Sequence, residues 1–178
     1  MKSRYRIKNL ANKITLSRII LIPVFIVILL SNMPYHAIIA TIVFALISLS
    51  DFWDGYIARK RNEVSAVGAM LDPLADKLLI SAALVFLIGR GVVAWMAYVI
   101  IAREFLITGL RMLAAVKNTD IPVKLSGKIK TNVQMLAVGA VILGLSFSNI
   151  AMWIATIITI YSGIEYIWLG RRLLKDVF

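Results

Sequence analysis

Six long runs of apolar residues, separated by short polar stretches, organise this chain of 178 residues. They lie at about 14–30, 35–59, 68–88, 92–116, 127–145 and 150–170, each close to the roughly 20 residues a helix needs to cross the hydrocarbon of a bilayer. The expected fold class is all-α: an integral membrane bundle of six transmembrane helices, forming a single membrane-embedded domain over residues 1–178. Residues 1 to about 13 interleave Tyr5, Ile7 and Leu10 with Arg4, Arg6 and Lys8. Such a segment can lie as an amphipathic juxtamembrane helix on the membrane surface, a disordered basic tail being the alternative. The first run has the length of a secretory signal, but Ser31-Asn32-Met33-Pro34 offers no small-x-small cleavage site, so it is expected to be retained. Gly89-Arg90-Gly91 reads as a turn, Ile121-Pro122 ends any helix, and Ser126 is the expected N-cap of the fifth span, which then runs from Gly127.

Composition agrees with the pattern. Hydrophobic residues make up 61% of the chain and mean hydropathy is +0.88, more apolar than a soluble domain of this length. With no cysteine, disulfides and thiolate metal sites are excluded. The formal net charge of +11 raises nucleic acid as a partner, but the placement of the charge argues against it. Lys2, Arg4, Arg6, Lys8 and Lys13 precede the first run; Arg59, Lys60 and Arg61 follow the second. Lys117, Lys124, Lys128 and Lys130 follow the fourth, and Arg171, Arg172 and Lys175 the sixth. The alternate loops hold only Arg90. This is a positive-inside distribution, with both termini cytoplasmic and the basic excess facing anionic lipid headgroups.

The stretch from Asp51 to Asp76 interrupts the apolar pattern with chemistry. Asp51-x2-Asp54-Gly55-x2-Ala58-Arg59 closes the second run, Lys60-Arg61-Asn62-Glu63 turns, and Gly68-x3-Asp72-x3-Asp76 opens the third. On helices each Asp pair shares a face, and a hairpin brings the two faces together. Four carboxylates in a half-buried place repel strongly unless cations neutralise them. Hard oxygen donors suit magnesium, manganese or calcium, and two such ions would balance the charge. Gly55, Ala58 and Gly68 leave room for a flat or bulky ligand, and Arg59 can clamp a phosphate. His36, the only histidine, is expected on the surface. Further along, Glu104 and Arg111 stand seven apart on one helix face, either for a structural ion pair between helices or as a basic wall for a phosphate. The start Ser126-Gly127-Lys128-Ile129-Lys130-Thr131 reads as an anion site at a helix N-terminus, or as ordinary positive-inside lysines. Glu165 is expected to meet a basic residue across the bundle, and Tyr161, Tyr166 and Trp168 to sit at the membrane interface. Gly139, Gly144, Ala151 and Ala155 permit close helix packing, including a homodimer face.

The spacing D-x2-D-G-x2-A-R-x8-G-x3-D-x3-D resembles, residue for residue, the signature of CDP-alcohol phosphotransferases. These are membrane enzymes that move a phosphatidyl or similar group from a CDP-linked donor to an alcohol. Thr15-x2-Arg18-x4-Pro23, Ile101-Ala102-Arg103-Glu104, Arg111 and Gly127-Lys128-Ile129-Lys130-Thr131 are similar to the phosphatidylglycerophosphate synthase branch. The resemblance covers nearly the whole chain. It implies CDP-diacylglycerol as donor, glycerol 3-phosphate as acceptor, and two divalent cations, Mg2+ or Mn2+, held by Asp51, Asp54, Asp72 and Asp76. Asp76 would also be the general base. Gly55, Ala58, Arg59 and Gly68 would border the donor's cytidine and phosphates, and Arg111, Lys128 and Lys130, with Arg103, would hold the acceptor phosphate. The expected location is a bacterial cell membrane, with the active site on the cytoplasmic side. One rival keeps the chemistry and changes the alcohol to inositol phosphate, serine or another. A rival from a different class is a small cation transporter using the four acids as a relay.

Overall fold

The computed structural model describes the backbone of residues 10–61, 77–117, 119, 122 and 124–175, and the side chains of 17–50, 77–117, 119, 122 and 124–171. Among the described residues there are six helices and no strand. These are α1 (Leu10–Leu30), α2 (His36–Arg61), α3 (Lys77–Phe86), α4 (Ala94–Val116), α5 (Leu125–Ile142) and α6 (Ser148–Lys175). The chain divides into two compact units, Met1–Phe86 and Leu87–Phe178. The amphipathic reading of the N-terminus lies outside the described residues, apart from 10–13, which already belong to α1.

In the first unit, α1 and α2 form a hairpin. Ile22, Phe25 and Leu29 repeat at helical spacing along one side of α1, as do Ala40, Phe44 and Ile47 on α2, and all six are buried. The Phe25 and Phe44 rings meet at 5.7 Å, tilted by 42°. Their large apolar area against each other fixes the register of the two helices. The turn is short because Tyr35 adopts a left-handed φ of 62°, and His36 Nδ1 lies 3.0 Å from the Met33 carbonyl oxygen. His36 is only half-buried and lies about fifteen residues, or roughly 22 Å, from the acidic end of α2. α3 buries Leu79, Ile80, Ala83 and Leu84.

The second unit begins with a tight turn at 87–92, where Gly89 and Gly91 take φ values of 78° and 117° that a side chain would oppose. α6 then serves as the centre, with α4 and α5 both packed on it. α4 buries Met96, Ala97, Ile100, Glu104, Ile107, Leu110 and Ala114, one continuous stripe. Facing it, Gly163 and Gly170 admit Arg103 and Leu110: a Cβ on Gly170 would stand 2.7 Å from Leu110 Cδ2. The end of α5 is a Schellman motif. Gly144 sits at φ 66°, its N–H bonds to Val141 O, and the Leu145 N–H bonds back to Ala140 O. That motif stops α5 at Ile142, before the expected Leu145. α5 also starts earlier than expected, at Leu125, with Lys124 as the cap residue and no side-chain cap. Ser126 is therefore inside the first turn, and its hydroxyl is drawn to Glu165 instead.

α6 is arranged inside out relative to a soluble helix. Its buried side carries Thr156, Thr159, Ser162 and Tyr166, while Ile150, Ile154, Ile157, Ile160, Ile164 and Ile167 face outward. The segment Ser148–Arg171 is long and apolar enough to cross a membrane. Trp95 and Trp153 meet edge to face at 5.3 Å near one end of the unit, and Arg171 lies over the Trp168 ring at 4.4 Å near the other. Indole rings at both ends of an apolar stretch are the arrangement favoured at the two interfaces of a bilayer.

Candidate active site

α2 continues without a break through its acidic end, so the first half of the aspartate stretch is helical. Asp51, Asp54, Gly55 and Ala58 occupy positions i, i+3, i+4 and i+7 of that helix and so fall on one stripe, with Arg59 beside it. The side chains of these five residues lie outside the described residues, as do Gly68, Asp72 and Asp76 altogether; α3 is described from Lys77, the residue after Asp76. The donor types fit a hard divalent cation: carboxylates on one stripe, in a chain without cysteine and with its single histidine far along the same helix.

In the second unit, a buried polar network joins α4, α5 and α6. Lys130 of α5 donates to Glu104 Oε1 of α4, and Arg103 Nη1 reaches the same oxygen at 3.2 Å. Arg103 Nη2 donates to Ser162 Oγ of α6 at 2.8 Å, and its guanidinium lies 5.5 Å from the centre of the Tyr166 ring. One level deeper, Gln134 Nε2 donates to Thr159 Oγ1 at 2.7 Å. Glu104 and Lys130 are almost fully buried. Two cations on one carboxylate satisfy charges that would otherwise be costly to remove from water.

The four cations expected to hold a phosphate thus fall into two groups. Arg103 and Lys130 are inside the unit on Glu104, whereas Arg111 and Lys128 are exposed. Glu104 takes Lys130 of α5 and Arg103 as partners, an ion pair between helices as one of the two readings expected, while Arg111 stays exposed. Glu165 does meet a basic residue across the bundle, Lys124 Nζ at 4.0 Å, and accepts from Ser126 as well. Tyr166 is corrected from an interface aromatic to a buried one, 3% exposed, while Tyr161 and Trp168 stay outside. The signal for Tyr166 was present in its spacing: it continues the Thr159, Ser162, Gly163 stripe by one further turn.

Comparison with known proteins finds relatives along most of the chain. Residues 8–161 match the family model of the CDP-alcohol phosphatidyltransferases, a match that runs through both units. A Bacillus subtilis protein is 42% identical, covering 89% of this chain and 93% of its own length. A Rickettsia bellii protein is 40% identical over 89% and 93%, and one from Haemophilus influenzae 35% over 94% and 96%. All three are named CDP-diacylglycerol–glycerol-3-phosphate 3-phosphatidyltransferase. With the aspartate stripe on α2 and near full-length likeness to these transferases, the chain belongs to the CDP-alcohol phosphatidyltransferase family.

Proposed function

We propose that this protein transfers the phosphatidyl group of CDP-diacylglycerol to glycerol 3-phosphate, giving phosphatidylglycerophosphate and CMP. The observation that carries the reading is the near full-length likeness to bacterial proteins named for this reaction. In it, a hydroxyl oxygen of the acceptor attacks the phosphatidyl phosphorus, the bond from that phosphorus to the CMP oxygen breaks, and the hydroxyl proton passes to Asp76. Asp51, Asp54, Asp72 and Asp76 hold two divalent cations, magnesium or manganese. The chemistry supplied by ions bound there is neutralisation of charge on the donor's pyrophosphate and on departing CMP. Gly55, Ala58 and Gly68 leave space for the cytidine, and Arg59 holds a donor phosphate. Arg111 and Lys128, with Lys130 and Arg103 oriented by Glu104, bind the acceptor's phosphate. The chain works as one domain of six spans in a bacterial cell membrane. Its termini and active site face the cytoplasm, and a second copy packs on the small residues of α5 and α6 to make a homodimer.

The test is CMP release by purified protein given CDP-diacylglycerol and a panel of alcohols. Glycerol 3-phosphate should be the preferred acceptor, and activity should vanish with chelator and return with magnesium or manganese. Asp76→Asn should lower turnover by roughly a hundredfold or more while the donor still binds. Preference for an unphosphorylated alcohol would overturn the acceptor, full activity in excess chelator the metal site, and ion flux into proteoliposomes without CDP-lipid the enzyme reading itself.

A further inference from the structure

The start of α5 is held from α6 at two points. The backbone N–H of Lys124, which caps a helix that has no side-chain cap, donates to Tyr166 Oη at 2.8 Å. The first N–H groups of a helix have no partner within it, so a hydroxyl from a neighbouring helix fixes the direction in which α5 begins. The second point is Ser126 Oγ, which donates to Glu165 Oε2 at 2.5 Å. A Cβ on Gly127 would lie 3.2 Å from Tyr166 Oη, so the missing side chain there is what lets the hydroxyl come close. Tyr166 is in turn held by Arg103, whose guanidinium lies over its ring.

We infer that Tyr166 and Glu165 are positioning residues. They set the first turn of α5, and through it the amines of Lys128 and Lys130, before the acceptor's phosphate arrives; this rests on the acceptor reading above. A phosphate bound by charge-assisted hydrogen bonds needs its donors in place, and a turn clasped beforehand loses less freedom on binding. The clasp touches neither substrate, and it sits on the acceptor side. Its loss should therefore appear in the Michaelis constant for glycerol 3-phosphate and leave that for CDP-diacylglycerol unchanged.

Tyr166→Phe removes one oxygen and keeps the ring beneath Arg103, so the fold should be preserved. The acceptor's KM should rise roughly two- to tenfold, the range for losing one hydrogen bond. The donor's KM and the melting temperature should stay put, and the Lys124 amide should exchange faster with deuterium. Glu165→Ala should raise the same constant, whereas Glu165→Gln, still an acceptor for Ser126, should stay near wild type. An unchanged acceptor KM in Tyr166→Phe, or an equal rise for both substrates, would overturn the inference. Wild-type protein that transfers nothing to glycerol 3-phosphate would instead remove the acceptor reading, and the positioning role with it. The clasp as a contact would then be judged by Lys124 exchange alone, and equal exchange in wild type and Tyr166→Phe would end that too.

Discussion

Glu104 sets the electrostatics of the α4–α5–α6 unit, because one of its oxygens receives both Arg103 and Lys130. Removing that carboxylate leaves the Lys130 ammonium buried beside a guanidinium. Losing one partner of a buried pair typically costs about 3–5 kcal/mol, whereas replacing both by apolar residues is close to neutral. Glu104→Leu should therefore lower the melting temperature in detergent sharply, and Glu104→Leu with Lys130→Met should recover part of it, the remainder being the Arg103 guanidinium left without its carboxylate. Transfer to glycerol 3-phosphate should not recover in the double variant, since Lys130 is one of the amines assigned to the acceptor. An equally unstable double variant would show that the cost of losing Glu104 comes from Arg103 and not from Lys130. Sequence alone left two readings open for Glu104 and Arg111, an ion pair between helices or a basic wall for a phosphate, and Glu104 proves to be in an ion pair between helices. The actual partner, Lys130, comes from the next helix, and periodicity within a helix carries no information about that distance.

At the scale of elements, α4 and α6 approach closely where Gly170 faces Leu110. Gly170→Ala places a carbon inside the contact radius of two Leu110 methyl groups, and overpacking of this kind costs about 1–3 kcal/mol. The cost should shrink to a few tenths in a Leu110→Ala background, a non-additivity that a double-mutant cycle of thermal unfolding would measure. Strict additivity would mean that the helices move apart freely. The helices themselves were legible in the apolar runs, including the continuation of α2 through Asp51 and Asp54, although α2 runs to Arg61, two residues past the expected Arg59 and into the expected turn. Their ends were less so. Ser126 has the residue type of an N-cap, yet Glu165, thirty-nine residues on, captured its hydroxyl, and the helix began earlier. Gly144 was read as a small packing residue, while its left-handed backbone is what ends α5.

Over the whole molecule, the all-helical class followed from the length and spacing of the apolar runs, and the basic excess pointed to lipid in place of nucleic acid. That Glu165 meets a basic residue across the bundle also followed, but the identity of each polar partner did not, because which helices meet is decided by shape as well as pattern. The outward face of α6 gives the sharpest test of its surroundings. Ile157 is 59% exposed, and at such a site in water a lysine would change stability by less than about 0.5 kcal/mol. In a bilayer the same substitution near the middle of the helix costs about 2.5–3.5 kcal/mol. Ile157→Lys should consequently reduce the amount of protein recovered from membranes, and unchanged recovery would show that this face meets water. The inverted helix also bears on how the protein responds to temperature. If the helices separate within lipid, they uncover the apolar stripe of α4 together with hydroxyls, an amide and an ion pair, and the tails of the bilayer replace the lost apolar contacts. Water gains almost no new hydrocarbon to hydrate, so the heat-capacity change that bends the stability curve of soluble proteins is nearly absent. In such surroundings cooling would not weaken this fold as it weakens a core held by the hydrophobic effect, and stability would fall in a nearly straight line with heat alone.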